Sequence, residues 1–227
     1  MISTTAISPI LTIPPLENGD KLTRHEFERR YHAMPNLKKA ELIEGVVYVA
    51  SPVRAKQHGK PHARIMGWLG TYEAATPGVE ALDNTTVLLD TDNEPQPDAL
   101  LRIETGGQSR INKDDYVEGT PELIVEIAAS SASYDLHEKL KVYRRNQVQE
   151  YLIWRVYDHQ FDWFRLQQGE YIQLQPNADN IICSQIFPGL WLDKTVLLGG
   201  DLGKVLTVVQ QGLASPEHEN FISKLSS

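Results

Sequence analysis

The run Glu122–Ala129, ELIVEIAA, constrains this chain more than any other stretch. Apolar residues at successive rather than alternating positions make a strand that must be covered on both faces. Such a strand belongs in the middle of a sheet with layers on either side. The run also carries a carboxylate, Glu126, between Val125 and Ile127. An ionised carboxylate without a partner is very costly to take out of water. Glu126 is therefore expected to be ion-paired, protonated or bound to metal, unless its side of the strand is open to solvent.

Elements of both kinds flank this strand. Thr23 stands three residues before Glu26, the capping-box spacing, and starts a helix over about 24–34 that Pro35 and Asn36 end. Ala40–Glu44 and Val46–Ala50, separated by Gly45, read as a strand pair or one bent strand. A helix follows over about 61–75, with Pro61 in its first turn and Ile65, Trp68, Leu69 and Tyr72 as its apolar stripe. Strands are expected at Val79–Leu82, Thr86–Leu89 and Asp98–Ile103, with a loop over Glu104–Gly119. Beyond the central strand come a helix over Asp135–Arg145 and strands at Tyr151–Val156 and Phe161–Leu166. A last helix over Val196–Gln211 is weakened by Gly199, Gly200 and Gly203. The order is that of a mixed α/β (α+β) domain with a central sheet. It divides into an irregular segment over 1–20, a single domain over 21–212 and a polar tail over 213–227.

Two further residues could share chemistry with Glu126. Asp98 follows Pro97, which keeps its neighbour extended and delivers the carboxylate at the start of a strand. A turn-closing aspartate is the ordinary alternative. Leu136, Leu140 and Tyr143 define the buried stripe of their helix, and Lys139 borders it while Lys141 projects away. A lysine in that position can reach over the neighbouring strand with its stem covered, or simply reach solvent. Glu44, just before Gly45, is a fourth polar candidate that by itself reads as an exposed strand end. His58 and His62 have i, i+4 spacing, but Gly59 and Pro61 interrupt it, and metal binding by the pair is not expected. There is no phosphate-binding glycine loop, dinucleotide fingerprint or nucleophile elbow.

Composition narrows the classes. One cysteine, Cys183, excludes an internal disulfide and a cysteine-rich zinc site, and fits the cytoplasm. No apolar run has the length of a membrane span, and no signal peptide is evident. The net charge of −8 argues against non-specific nucleic-acid binding through the whole surface, but not against a local basic face.

The order of these motifs resembles the PD-(D/E)XK nuclease superfamily. More narrowly, it resembles the Uma-type restriction endonuclease family, formerly a domain of unknown function. The matching stretches are Glu41–Gly45 (ELIEG), Ser51–Pro52, Gln96–Asp98 (QPD), Gly119–Glu126 (GTPELIVE), Glu138–Tyr143 (EKLKVY) and Glu150–Trp154 (EYLIW). They spread over about residues 20–195. The resemblance implies a restriction-endonuclease-like fold, with a mixed central sheet flanked by helices. It implies a site of Asp98, Glu126, Lys139 and Glu44, with Asp98 and Glu126 as ligands to Mg²⁺ or Mn²⁺. One position departs from the superfamily. The lysine usually found two residues after the glutamate is replaced by Ala128, and Lys139 from the next helix fills its place.

The activity so implied is hydrolysis of phosphodiester bonds in nucleic acid, expected to be DNA, by a protein that could act as a homodimer. Lys56, Lys60, Arg64, Arg144 and Arg145 are candidates for a phosphate-facing patch. The competing reading is a nuclease-fold binding or regulatory module of little turnover, motivated by the acidic net charge and by Ala128.

Overall fold

A computed structural model describes residues 13–50, 54–129 and 134–226, so Ser51–Pro52 and the first twelve residues lie outside it. Helix α1 (Arg24–His32) begins where the capping box places it, with the Thr23 hydroxyl accepting from the Glu26 N–H. The hairpin β1 (Ala40–Ile43) and β2 (Val46–Val49) follows. Its turn needs Glu44 and Gly45 both at positive φ, 53° and 71°, which Gly45 adopts without strain. A π-helical turn (Ala55–Gly59) leads directly into α2 (Lys60–Ala74).

The central sheet has six strands. In chain order they are β3 (Val79–Asp83), β5 (Ala99–Ile103), β8 (Leu123–Ala128), β9 (Glu150–Arg155), β10 (Gln160–Gln167) and β11 (Glu170–Gln173). In space they run β11-β10-β9-β8-β5-β3. Only β8 and β9 are parallel; the other neighbours are antiparallel. Their connection is a second π-helical turn (Asp135–Lys139) continued by α3 (Leu140–Arg145).

Every residue of β8 is buried, as a strand covered on both faces requires. Successive side chains alternate between two cores. Leu123, Val125 and Ile127 face Ile65, Trp68, Leu69 and Tyr72 of α2. Ile124 and Ala128 face Ile43 of β1 and Val142 and Tyr143 of α3. Glu126 lies in phase with this second set. A third cluster packs Phe27 of α1 against Leu42 and Val47 of the hairpin.

The structure departs from the sequence expectations in five places. One is β11, a four-residue edge strand that no sequence period announces. The polar stretch 104–119 contains β6 (Ser109–Ile111) and β7 (Val117–Gly119), which form a small sheet with β4 (Val87–Leu88). These strands are too short for a period to register. A further hairpin, β12 (Ile181–Cys183) with β13 (Trp191–Asp193), gives no sequence signal for the same reason. The last expected helix is two helices, α4 (Lys194–Gly199) and α5 (Leu202–Leu213). Gly200 in the left-handed region ends the first, and the Asp201 carboxylate caps the second. The polar tail contains α6 (Pro216–Leu225), capped by Ser215, with His218 buried and Phe221 and Leu225 packed on the first core. Its exposed positions dominate the sequence and hide the apolar face.

Candidate metal centre

The site lies at the end of the sheet where β8 finishes and β5 begins. The β5–β8 register pairs Leu101 with Leu123, Leu100 with Ile124 and Ala99 with Val125. One residue further, this register brings Asp98 opposite Glu126. Cross-strand partners share a face of the sheet, so both carboxylates stand on the side of the second core. The Ile127 N–H donates to Asp98 Oδ2 at 2.8 Å and fixes the aspartate against the neighbouring strand. Asp98 and Glu126 are 4% and 3% exposed, which puts both among buried charged groups that need partners.

Glu126 finds its partners on the helix that leaves β8. The Lys139 ammonium donates to Glu126 Oε1 at 2.8 Å, and the Tyr143 hydroxyl donates to the same oxygen at 2.8 Å. Lys139 and Tyr143 are four residues apart, the spacing that puts two side chains on one helix face. Burial, followed by the charges of Glu126 and Glu41, pushes the Tyr143 phenol well above its ordinary value and keeps it a donor. The second π-helical turn ends at Lys139. Lys139 is only 2% exposed, and its charge sits 5.6 Å from the centroid of the Tyr134 ring.

Lys139 has a second carboxylate, and it is Glu41 rather than Glu44. Glu41 Oε1 accepts from Lys139 Nζ at 2.9 Å and from the Gln96 N–H at 2.7 Å. Strand alternation explains the choice. Glu41 is in phase with Ile43, which faces the second core, whereas Ala40 and Leu42 face the third. Glu44 sits in the turn, exposed, where Arg145 pairs with it. The structure therefore brings Asp98, Glu126 and Lys139 together and leaves Glu44 outside. Glu41 has the same sequence signature as Glu126, a glutamate with apolar residues on both sides.

Around Asp98 the structure adds three groups. His58 Nε2 lies 3.1 Å from Asp98 Oδ1, and Lys39 Nζ lies 3.4 Å from the same oxygen. His62 Nε2 lies 2.8 Å from the Asp98 backbone oxygen and 2.9 Å from Asp83 Oδ1. The two imidazoles stack with centroids 5.5 Å apart, so their i, i+4 spacing is realised across the junction of the π-helical turn and α2. Gly59 is the last residue of the π-helical turn and Pro61 lies in the first turn of α2, where its fixed φ suits the helix. Burial by itself would raise the Asp98 carboxyl. The His58 hydrogen bond, the Lys39 and His58 charges and the Ile127 N–H outweigh it and hold Asp98 well below the usual carboxylate range.

This donor set suits a hard divalent cation. It offers carboxylate oxygens from two adjacent strands, one of them held ionised, and the chain's one cysteine, Cys183, lies on β12 rather than on either of them. Among the described residues no group of three or more His, Cys, Asp or Glu side chains is placed to hold a metal ion, so any cation here would rest on the two carboxylates. Two carboxylates with the remaining positions left to water is the usual way proteins hold Mg²⁺.

Comparisons with known proteins agree with this architecture. The family model Uma2, described as "Putative restriction endonuclease", matches residues 25–195. The fold is similar to the crystal structure of a "putative nuclease belonging to DUF820" from Anabaena variabilis ATCC 29413, with a TM-score of 0.57. Sequence identity is 13%, and the match covers 76% of this chain and 97% of that one. No curated protein matches the chain. No helix among the described residues is long and apolar enough to cross a membrane. With its sheet, crossover helix and paired strand carboxylates all inside the matched span, the chain belongs to the Uma2 restriction endonuclease family.

Proposed function

We propose that this protein is a divalent-metal-dependent endonuclease that hydrolyses phosphodiester bonds of DNA. The observation that carries the reading is the register that sets Asp98 across from Glu126 on one sheet face, with Lys139 bonded to Glu126. Asp98 and Glu126 are the residues that would hold Mg²⁺ or Mn²⁺. When bound, the cation supplies Lewis-acid polarisation of the phosphoryl oxygen and acidifies a coordinated water. The chain's own groups do the rest. Lys139 orients the attacking water and offsets negative charge gathering on the phosphoryl group. Tyr143 and Glu41 hold Lys139 and Glu126 in register through their hydrogen bonds. His58 and Lys39 keep Asp98 ionised and aimed at the strand end.

Nicking of a supercoiled plasmid tests the proposal. The wild type is expected to cut in Mg²⁺ or Mn²⁺ and to stop in EDTA. Asp98→Asn and Glu126→Gln are each expected to lose at least 100-fold in rate, the size of effect seen when a charge-stabilising group is removed from an active site. Activity that survives both substitutions contradicts the assignment. A binding or regulatory module with the same fold would bind DNA and leave the plasmid intact in every metal.

A further inference from the structure

The chain has a net charge of −8, yet no Asp or Glu occurs between Glu44 and Glu73. Within that interval a basic or imidazole side chain recurs at every second residue: Arg54, Lys56, His58, Lys60, His62 and Arg64. The structure folds 55–64 into the π-helical turn and the start of α2, with Arg54 as the extended residue that precedes the turn, so the alternation is sorted into two ridges of i, i+4 neighbours. One ridge runs Arg54, His58, His62 and ends on Asp98. The other runs Lys56, Lys60, Arg64.

The basic candidates separate by their partners. Arg144 pairs with Glu170, Arg145 with Glu44 and Asp90, and Arg64 donates to the Gly200 carbonyl. Arg144 and Arg145 are thus neutralised by carboxylates, while Arg64 keeps its charge but is turned toward the Gly200 carbonyl. Arg54, Lys56 and Lys60 are exposed, and none makes an ion pair among the described residues. Three cations without carboxylate partners thus stand within four residues of a histidine bonded to the candidate metal ligand.

From this charge pattern we infer that the exposed edge formed by Arg54, Lys56 and Lys60 is the docking rim for the phosphate backbone of duplex DNA. The inference rests on the nuclease reading and gives that site its substrate contact. Backbone phosphates are the partner whose charge complements such a rim, and neutralising them releases counterions. The segment 54–64 carries no Phe, Tyr or Trp on which an unpaired base could stack, which favours a duplex held by its backbone over a single strand. The placement also reconciles an acidic protein with an anionic substrate. Attraction is local to the rim, while the rest of the surface repels DNA that approaches in another orientation.

The test is fluorescence anisotropy with the full chain and a labelled duplex of about 30 base pairs, in EDTA so that nothing is cut, across a salt series. Lys56→Ala/Lys60→Ala is expected to bind about tenfold more weakly, with the slope of log K against log salt reduced by about 2. Adding Arg54→Ala is expected to reduce the slope by about one more. Lys113→Ala/Lys204→Ala removes two exposed lysines elsewhere and is expected to stay within about twofold of wild type. The inference is overturned if the rim variant binds with wild-type affinity and slope, if the control loses as much, or if the wild type does not bind the duplex. It is also overturned if duplex RNA of the same sequence binds more tightly. Binding through the rim without any cleavage would remove the nuclease reading and leave the rim standing. Cleavage with unaltered binding by the rim variant would do the reverse.

Discussion

Lys139 Nζ stands 2.8 Å from Glu126 Oε1, with both side chains almost wholly removed from water. The same ammonium lies 2.9 Å from Glu41 Oε1, so one buried cation serves two buried carboxylates. Removing one partner of a buried pair leaves an uncompensated charge, at a cost of about 3–5 kcal/mol. Lys139→Met is therefore expected to lower unfolding stability by about that amount. Lys141→Met, whose lysine is exposed and pairs with Glu138, is expected to stay within about 0.5 kcal/mol. Urea unfolding of the two variants in EDTA checks this, and equal losses would show that Lys139 is an ordinary surface lysine.

Because Lys139 has two carboxylates, removing either one leaves it the other. Glu126→Gln and Glu41→Gln are each expected to cost roughly 1–2 kcal/mol. The double variant takes both of these carboxylates from one buried ammonium and is expected to lose more than the sum by about 1–3 kcal/mol. A double-mutant cycle in metal-free buffer measures the coupling. A sum that is simply additive would mean that the two carboxylates do not share the lysine.

Glu41 and Glu44 illustrate what the sequence made legible and what it hid. The buried strand and the crossover helix follow from local rules, an unbroken apolar run and an apolar stripe at helical spacing, whereas a proline before a strand marks Asp98 without saying which strand it meets, and its grouping with Glu126 comes from the resemblance in the order of the motifs. Glu41 obeys the same rule as Glu126, but ELIEG contains two glutamates. Choosing between them requires the hairpin register and its turn, which place Glu44 at a φ of 53° and Glu41 in phase with Ile43. His58 and Lys39 were hidden for another reason. Their contact with Asp98 joins residues 40 and 59 positions apart, and no periodicity reports on such a distance. Lys139 is legible even though it closes the π-helical turn, because its spacing to Tyr143 runs forward into the regular helix. Glu44→Ala is accordingly expected to leave plasmid cleavage unchanged, and Glu41→Ala to reduce it at least tenfold through misplacement of Lys139. Equal activities in the two variants would reverse the choice.

A pH dependence of stability should arise at Glu94. Burial, reinforced by the negative charge of Glu28, pushes its carboxyl up from 4.5 to about 8, and its Oε2 has no hydrogen-bond partner among the described residues. Between pH 4.5 and about 8 the unfolded chain loses this proton while the folded chain keeps it. The folded state then binds more protons, and stability falls as pH rises across that window. Below 4.5 both states are protonated and Glu94 has no effect on the pH dependence. Glu94→Gln mimics the neutral form. It is expected to match the wild type near pH 4.5 and to exceed it by roughly 2–4 kcal/mol at pH 8.5. Thermal or urea unfolding at the two pH values decides it, and a difference independent of pH would place the carboxyl in contact with water.

The central claim is that Asp98 and Glu126 act as ligands to one cation, and a Mn²⁺ soak read by anomalous diffraction tests it most directly. The expected result is a single peak with an oxygen of each carboxylate at about 2.0–2.2 Å, the ordinary range for this class of ion, and the other positions filled by water. Lys139 is expected to remain bonded to Glu41. A Mn²⁺ peak elsewhere, or none at this site in crystals of a protein that still cuts DNA, would contradict the account. It would leave Glu126 as the buried partner of Lys139 and nothing more.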